Sequence, residues 1–187
     1  VIDRIYRGRN IANIDDLENG LRGLTHFNAL KGMPEAALIL ATAIEQNKRI
    51  IIVGDFDADG ATSTSVCILA LRAMGFDNVD FLVPNRFDFG YGLSVPIVDE
   101  AAKQGADIIV TVDNGISCID GVTHAKGLGI QVVVTDHHLP GDVLPPADAI
   151  VNPNQPGCEF PSKNLAGVGV AFYIMLALKA KLQQQGY

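Results

Sequence analysis

"RIIIVGDFDADGATSTSVCILALRAMG", Arg49 to Gly75, contains one complete structural unit and decides how the rest of the chain is read. It opens on a continuous run of isoleucine and valine, too short for an ordinary helix and without the alternation of a strand that has one wet face. Such a run reads as a strand buried on both faces. Asp55, Asp57, Asp59 and Gly60 follow it, and behind them comes a helical stretch that closes on Gly75, as helices commonly do. Short apolar runs recur at "VDFLVP" (79–84), "DIIVTVD" (107–113), "QVVVTD" (131–136) and "DAIVNP" (148–153). Between them lie the helical stretches "SVPIVDEAAKQG" (94–105) and "CIDGVTHAKGLG" (118–129), again ending on glycine. A further helix is predicted from Pro34 to Gln46, with its proline near the first turn. Strand and helix in alternation predict an α/β fold, a doubly wound and mainly parallel sheet with helices on both faces.

With 187 residues, 48% of them hydrophobic and 19% charged, the chain can bury one full core and falls within the size of a single domain. Residues 1–33 read as an irregular, turn-rich lead-in. The proline-rich "LPGDVLPPADAIVNPNQPGCEFPS" (139–162) reads as loop around a short strand, because strand-like residues continue within it. "NLAGVGVAFYIMLALKAKLQQQ" (164–185) is apolar nearly all round at first and polar later, which predicts a helix with a buried start and a solvated end. Apolar runs such as Val168 to Leu178 fall short of the roughly 20 residues that cross a bilayer, so no membrane association is expected. Cys67, Cys118 and Cys158 form no CxxC pair, which suggests reduced thiols and a cytoplasmic setting. A chain that starts on Val1 and stops at "KLQQQGY", just past a helical segment, reads as a piece of a longer protein.

The net charge of −7 argues against a broad basic footprint for nucleic acid, yet it suits a carboxylate-built metal site, whose cations cancel charge locally. In open α/β sheets ligands gather at the carboxyl ends of the strands. The first strand delivers Asp55, Asp57 and Asp59 there, the third Asp113, and the fourth Asp136, His137 and His138. A lone Asp at such a place is more often a helix cap or turn former. Several held together repel one another, and a divalent cation is the usual compensation. Oxygen-rich ligands with one imidazole suit Mn²⁺ or Mg²⁺ better than zinc. An EF-hand fails as the explanation of "DFDADG", because its twelfth position is Val66 rather than Glu and a strand precedes it. Neither a GxxxxGK[ST] loop nor a GxSxG elbow is present, and "GVGVAF" lacks the third glycine of a dinucleotide fingerprint.

The motifs "DFDADG", "VDN" and "DHH", in that order and each after a strand, resemble those of the DHH phosphoesterase superfamily. "VPNRFDFGYGLS" (83–94) and "NPNQPGCEFPSKNLAGVGVAF" (152–172) are similar to connecting segments of its RecJ-like, single-strand-specific exonucleases, so the resemblance covers the chain from about Ile50 onward. The resemblance implies two Mn²⁺ or Mg²⁺ ions, with Asp57 and Asp59 binding them separately, Asp113 bridging, and His137 on the second ion. It further implies that His138 faces the scissile phosphate, that Asp136 orients the imidazoles or supports the metal shell, and that Asp55 stands behind the ligands. Arg86 and Asn114 are candidate phosphate contacts, the former because its fork matches phosphate oxygens. Many family members carry a histidine two residues before the first Asp, where this chain has Val53. The family's fourth metal-binding motif and its C-terminal substrate-binding domain are expected beyond the last helix, so residues 1–187 read as a DHH catalytic domain incomplete at that end.

The implied activity is 5′ to 3′ exonucleolytic hydrolysis of phosphodiester bonds in single-stranded DNA by a metal-activated water, in DNA repair and recombination. Partners would be single-stranded DNA and proteins of replication or repair. Two other readings stand beside it: a DHH phosphoesterase for short oligonucleotides, cyclic dinucleotides or pyrophosphate, and an inactive DHH scaffold module.

Overall fold

The computed structural model describes residues 2–9, 11, 20–85 and 90–187. Five strands, β1 (Ile50–Gly54), β2 (Val79–Leu82), β3 (Ile108–Val112), β4 (Gln131–Thr135) and β5 (Ala149–Val151), form one sheet in the order β2-β1-β3-β4-β5. All neighbours run parallel. The helices are α1 (Ile2–Gly8), α2 (Met33–Glu45), α3 (Ala58–Ala73), α4 (Val95–Lys103), α5 (Ile119–Gly127) and α6 (Gly167–Gln184). Helices α2, α3 and α6 pack on one face of the sheet, α4 and α5 on the other. This is the doubly wound α/β sheet that the alternating pattern predicts.

The two-residue period of a strand explains why β1 needs no polar position. Ile50 and Ile52 point into the α2–α3–α6 layer, Ile51 and Val53 into the α4–α5 layer, and all four are fully buried. Each such side chain contributes about 1.5–3 kcal/mol of burial. Strand β3 does the same with Ile108, Ile109 and Val110. Helix ends follow local chemistry too. Gly75, Gly105 and Gly129, two residues beyond α3, α4 and α5, adopt φ of +81°, +77° and +79°, the left-handed cap that glycine accepts without a side-chain clash.

Strand β2 departs from the expectation of burial on both faces, and Phe81 is 51% exposed. It is an edge strand with a neighbour only in β1, so its outer face lacks full helical cover. Within residues 1–33 the described part holds α1, with no buried residue, and 3₁₀ turns at Leu21–Gly23 and Phe27–Ala29. Helix α6 buries its first turns through Gly167, Val170, Ala171 and Ile174, and residues 183–187 emerge into solvent, as the sequence pattern predicts. Among the described residues no helix is long and apolar enough to cross a membrane.

The sheet register positions the site. Gly54, Val112, Thr135 and Val151 lie abreast on β1, β3, β4 and β5. The residues that follow them, Asp55, Asp113, Asp136 and Asn152, therefore leave the sheet in a row, on strands about 4.8 Å apart. Chain order reverses between β1 and β3, which is the switch point where open α/β sheets form their ligand crevice.

Candidate metal centre

Asp57 caps α3, and its Oδ1 accepts a hydrogen bond from the Gly60 amide at 3.0 Å. That amide holds the Asp57 carboxyl below the ordinary carboxylate range, against the opposing effect of burial. Gly60 is obligatory here, because a Cβ would collide with the backbone of Asp55. Asp55 is 3% exposed, and its Oδ1 accepts from the Phe56 amide at 2.7 Å. One oxygen each of Asp55, Asp57 and Asp113 lie within 4.8 Å of one another. Asp55 thus stands as near this point as the two residues that the family resemblance casts as ligands.

Asp113 sits at the centre. Its φ of +60° is the left-handed conformation that side chains rarely adopt, the kind of backbone strain that clusters at functional sites. It is 2% exposed, and its Oδ1 has no hydrogen-bond partner. The His137 Nε2 lies 3.0 Å from that oxygen, near enough for an ion pair but without hydrogen-bond alignment. Burial, followed by the charges of Asp59 and Asp57, pushes the Asp113 carboxyl up to about 7. A buried, unpartnered carboxylate oxygen beside other acids is the environment that a divalent cation satisfies.

Asp136 organises the paired histidines. Its Oδ1 accepts from the His137 amide at 2.7 Å, from the His138 amide at 3.1 Å and lies 2.7 Å from the His138 Nδ1. Its Oδ2 accepts from the Ile116 amide at 2.9 Å. Burial opposes protonation of His138, but the Asp136 carboxylate outweighs it and raises the imidazole above its ordinary value. The two rings lie against each other, centroids 4.7 Å apart and tilted by 57°, but reach different partners. His137 turns to Asp113 and, at 3.6 Å, to Asp59, whereas His138 lines a cleft of about 660 Å³ with Tyr91, Ile116, Ser117 and Ile119. Burial and the nearby Asp55 and Asp136 also push the Tyr91 phenol up.

Asp59 is fixed from the far end of the chain. Its Oδ2 accepts from the Gly167 amide at 2.8 Å and its Oδ1 from the Val168 amide at 2.7 Å, so the carboxylate lies across the start of α6. Each oxygen keeps a lone pair for a cation. Gly167 packs directly on Asp113, whose carboxylate a Cβ there would strike.

The structure thus gathers Asp55, Asp57, Asp59, Asp113, Asp136, His137 and His138 at one place. Asp113, His137 and His138 form a second group whose ligand atoms lie within 4.8 Å. Asn114 points inward, its Nδ2 donating to the carbonyls of Val53 and Val112, each at 2.9 Å. It therefore ties β1 to β3, and its donor faces no open crevice. Arg86 lies outside the described residues. Sequence reasoning passed over Asn152, Asn154 and the amides of Gly167 and Val168. Only Asn152 carried a signal, as the residue that follows a strand end.

Residues 49–186 match the family described as "DHH family, N-terminal domain". The chain is 56% identical over all 187 residues to the single-stranded-DNA-specific exonuclease RecJ of Escherichia coli, of which it covers 32%. It is 38% identical over 177 residues to RecJ of Thermus thermophilus, covering 95% of this chain and 25% of that one. The chain therefore spans from a quarter to a third of the length of these relatives. Among solved structures, RecJ of Thermus thermophilus in complex with Mn²⁺ superposes with a TM-score of 0.77 at 35% identity, over 95% of this chain and 24% of that one. An exonuclease RecJ bound to manganese superposes with a TM-score of 0.74 at 38% identity, over 82% and 38%. With the acidic strand ends, the DHH triplet and the family match in agreement, the chain belongs to the DHH family.

Proposed function

We propose that this chain is the catalytic DHH domain of a single-stranded-DNA exonuclease, hydrolysing phosphodiester bonds with two Mn²⁺ or Mg²⁺ ions. The observation that carries this reading is the strained, buried Asp113, grouped with Asp55 and Asp57 and 3.0 Å from His137, which itself lies 3.6 Å from Asp59. Asp55 and Asp57 would hold one ion, Asp59 and His137 the other, and Asp113 would bridge them. The bound ions would supply Lewis-acid chemistry, lowering the pKa of an attacking water and offsetting charge on the phosphoryl group.

The chain's own residues supply placement. Asp136 engages the His138 Nδ1 and favours the protonated ring, which leaves Nε2 to donate to a phosphate oxygen in the cleft. The names of the relatives support single-stranded DNA as substrate, and the 5′ to 3′ polarity rests on the family resemblance. Three unpaired cysteines fit a reducing, cytoplasmic setting.

In the whole protein, Asp113→Ala and His137→Ala should each abolish Mn²⁺-dependent digestion of single strands. Rates equal to the parent's in both variants would overturn the assignment. A preference for dinucleotides over long single strands would reassign the substrate.

A further inference from the structure

The loop that follows β5 reaches back to the histidine pair through two asparagines. Asn152 is fully buried; its Nδ2 donates to the His138 carbonyl at 2.9 Å, and its Oδ1 accepts from the Asn154 amide at 2.7 Å. Asn154 donates through Nδ2 to the His137 carbonyl at 2.6 Å and to the Lys163 carbonyl at 3.2 Å. Chemistry settles both orientations: a backbone N–H can only donate, and a carbonyl can only accept. Lys163 closes the loop on itself, its Nζ donating to the carbonyls of Pro153 and Cys158 at 2.7 and 2.8 Å.

Asparagine in "NPN" would ordinarily be a turn former that satisfies whatever polar group lies nearest. Here the pairing is specific. Asp136 holds the N–H of both histidines, and each asparagine holds the C=O of one of them. Every backbone polar group of His137 and His138 is therefore anchored, which fixes the direction in which each imidazole leaves the chain. We infer that Asn154 and Asn152 are positioning residues, Asn154 aiming His137 at the carboxylates and Asn152 aiming His138 at the cleft. The consequence for metal binding rests on the proposed two-ion site; the consequence for ring placement does not.

The test compares the whole protein with Asn154→Ala and with Asn152→Asp, the latter keeping shape and the contact to the Asn154 amide while removing the donor. Histidine Hε1 resonances in EDTA report ring placement, calorimetry reports Mn²⁺ affinity, and digestion of single strands reports kcat and KM. Asn154→Ala should move the His137 resonance and weaken Mn²⁺ binding about tenfold, the loss typical of a residue that supports a ligand. Asn152→Asp should move the His138 resonance and lower kcat, with Mn²⁺ affinity within about twofold of the parent, since the ligand His137 keeps its own anchor. The inference is overturned if folded variants leave both resonances in place, even where their melting temperatures fall. Should Asn152→Asp fail to fold, Asn154→Ala alone decides. A parent that binds no Mn²⁺ would sink the proposed function, and the resonances would still decide the positioning role.

Discussion

The two ends of the sheet treat their acids in opposite ways. At the amino ends of the strands, Asp107 accepts from the Arg49 amide at 2.8 Å, and the Arg49 guanidinium reaches Asn78 and Asp80, each at 3.3 Å. Asp148 accepts from the Val132 amide at 2.8 Å and pairs with Lys126 at 3.3 Å. At the carboxyl ends stand Asp55, Asp57, Asp59, Asp113 and Asp136, and no described ion pair joins any of them to lysine or arginine. Among the described residues, the imidazoles of His137 and His138 are their only partners of basic type. Among the described residues, the amino end pairs acids with Arg49 and Lys126, and the carboxyl end keeps an excess of negative charge that a bound cation would balance.

The strongest test of that contrast is Asp113→Asn, which keeps a residue that tolerates the left-handed conformation and removes the charge. In the whole protein, digestion of single strands should fall by more than about 100-fold, beyond the range seen for residues that only support a ligand. The melting temperature in EDTA at pH 8 should rise, the trade between activity and stability expected of a strained site. The pH dependence has a definite sign. The folded-state value of Asp113 is raised from 3.8 to about 7, so the folded protein binds this proton more tightly than the unfolded chain. That stabilisation is complete below pH 3.8 and is lost as pH rises to 7, by up to about 4 kcal/mol. His138, also raised, acts in the same direction as pH passes from its ordinary 6.5 to its folded value, whereas Asp57, lowered, matters only below 3.8. Without metal, the melting temperature should therefore fall between about pH 5 and about pH 8, and Mn²⁺ should restore most at the upper end. An equally steep fall in Asp113→Asn would break the assignment to this residue.

A smaller effect comes from the contact that sets the spacing of the carboxylates. A Cβ on residue 167 would lie 2.6 Å from the Asp113 Oδ1, so Gly167→Ala must displace that side chain or shift α6 with Asp59 attached. Mn²⁺ affinity measured by calorimetry should fall about tenfold, comparable to other outer-sphere losses. Unchanged affinity would mean that the close approach of α6 does not govern the site.

Much of this contrast is visible in the residues themselves, because its components are local. The strands were legible from short β-branched runs, the helix ends from Gly75, Gly105 and Gly129, and the acids from their place after each run. Strand order is not local: nothing in "VDFLVP" says that β2 lies at an edge and leaves Phe81 half exposed. Direction is not local either. Asn114 follows Asp113 in the motif, yet its amide turns inward to Val53 and Val112 rather than toward a phosphate. The amides that hold Asp59 lie 108 and 109 positions away, and "NPN" has the composition of any tight turn.

The smallest effect belongs to the amino end and completes the comparison with the same residue type. Asp107→Ala removes the acceptor from the Arg49 amide in an exposed setting, where water takes over part of the bond. The loss should be about 0.5–1.5 kcal/mol of unfolding free energy, read from urea denaturation, with Mn²⁺ affinity and kcat equal to the parent's. The charge removed equals that of Asp113, but it lies at the strand ends that face away from the crevice, on the side where Arg49 and Lys126 supply positive charge. A change in Mn²⁺ affinity on this substitution would show that the excess negative charge acts through the whole sheet, and the division between the amino end and a binding carboxyl end would fail.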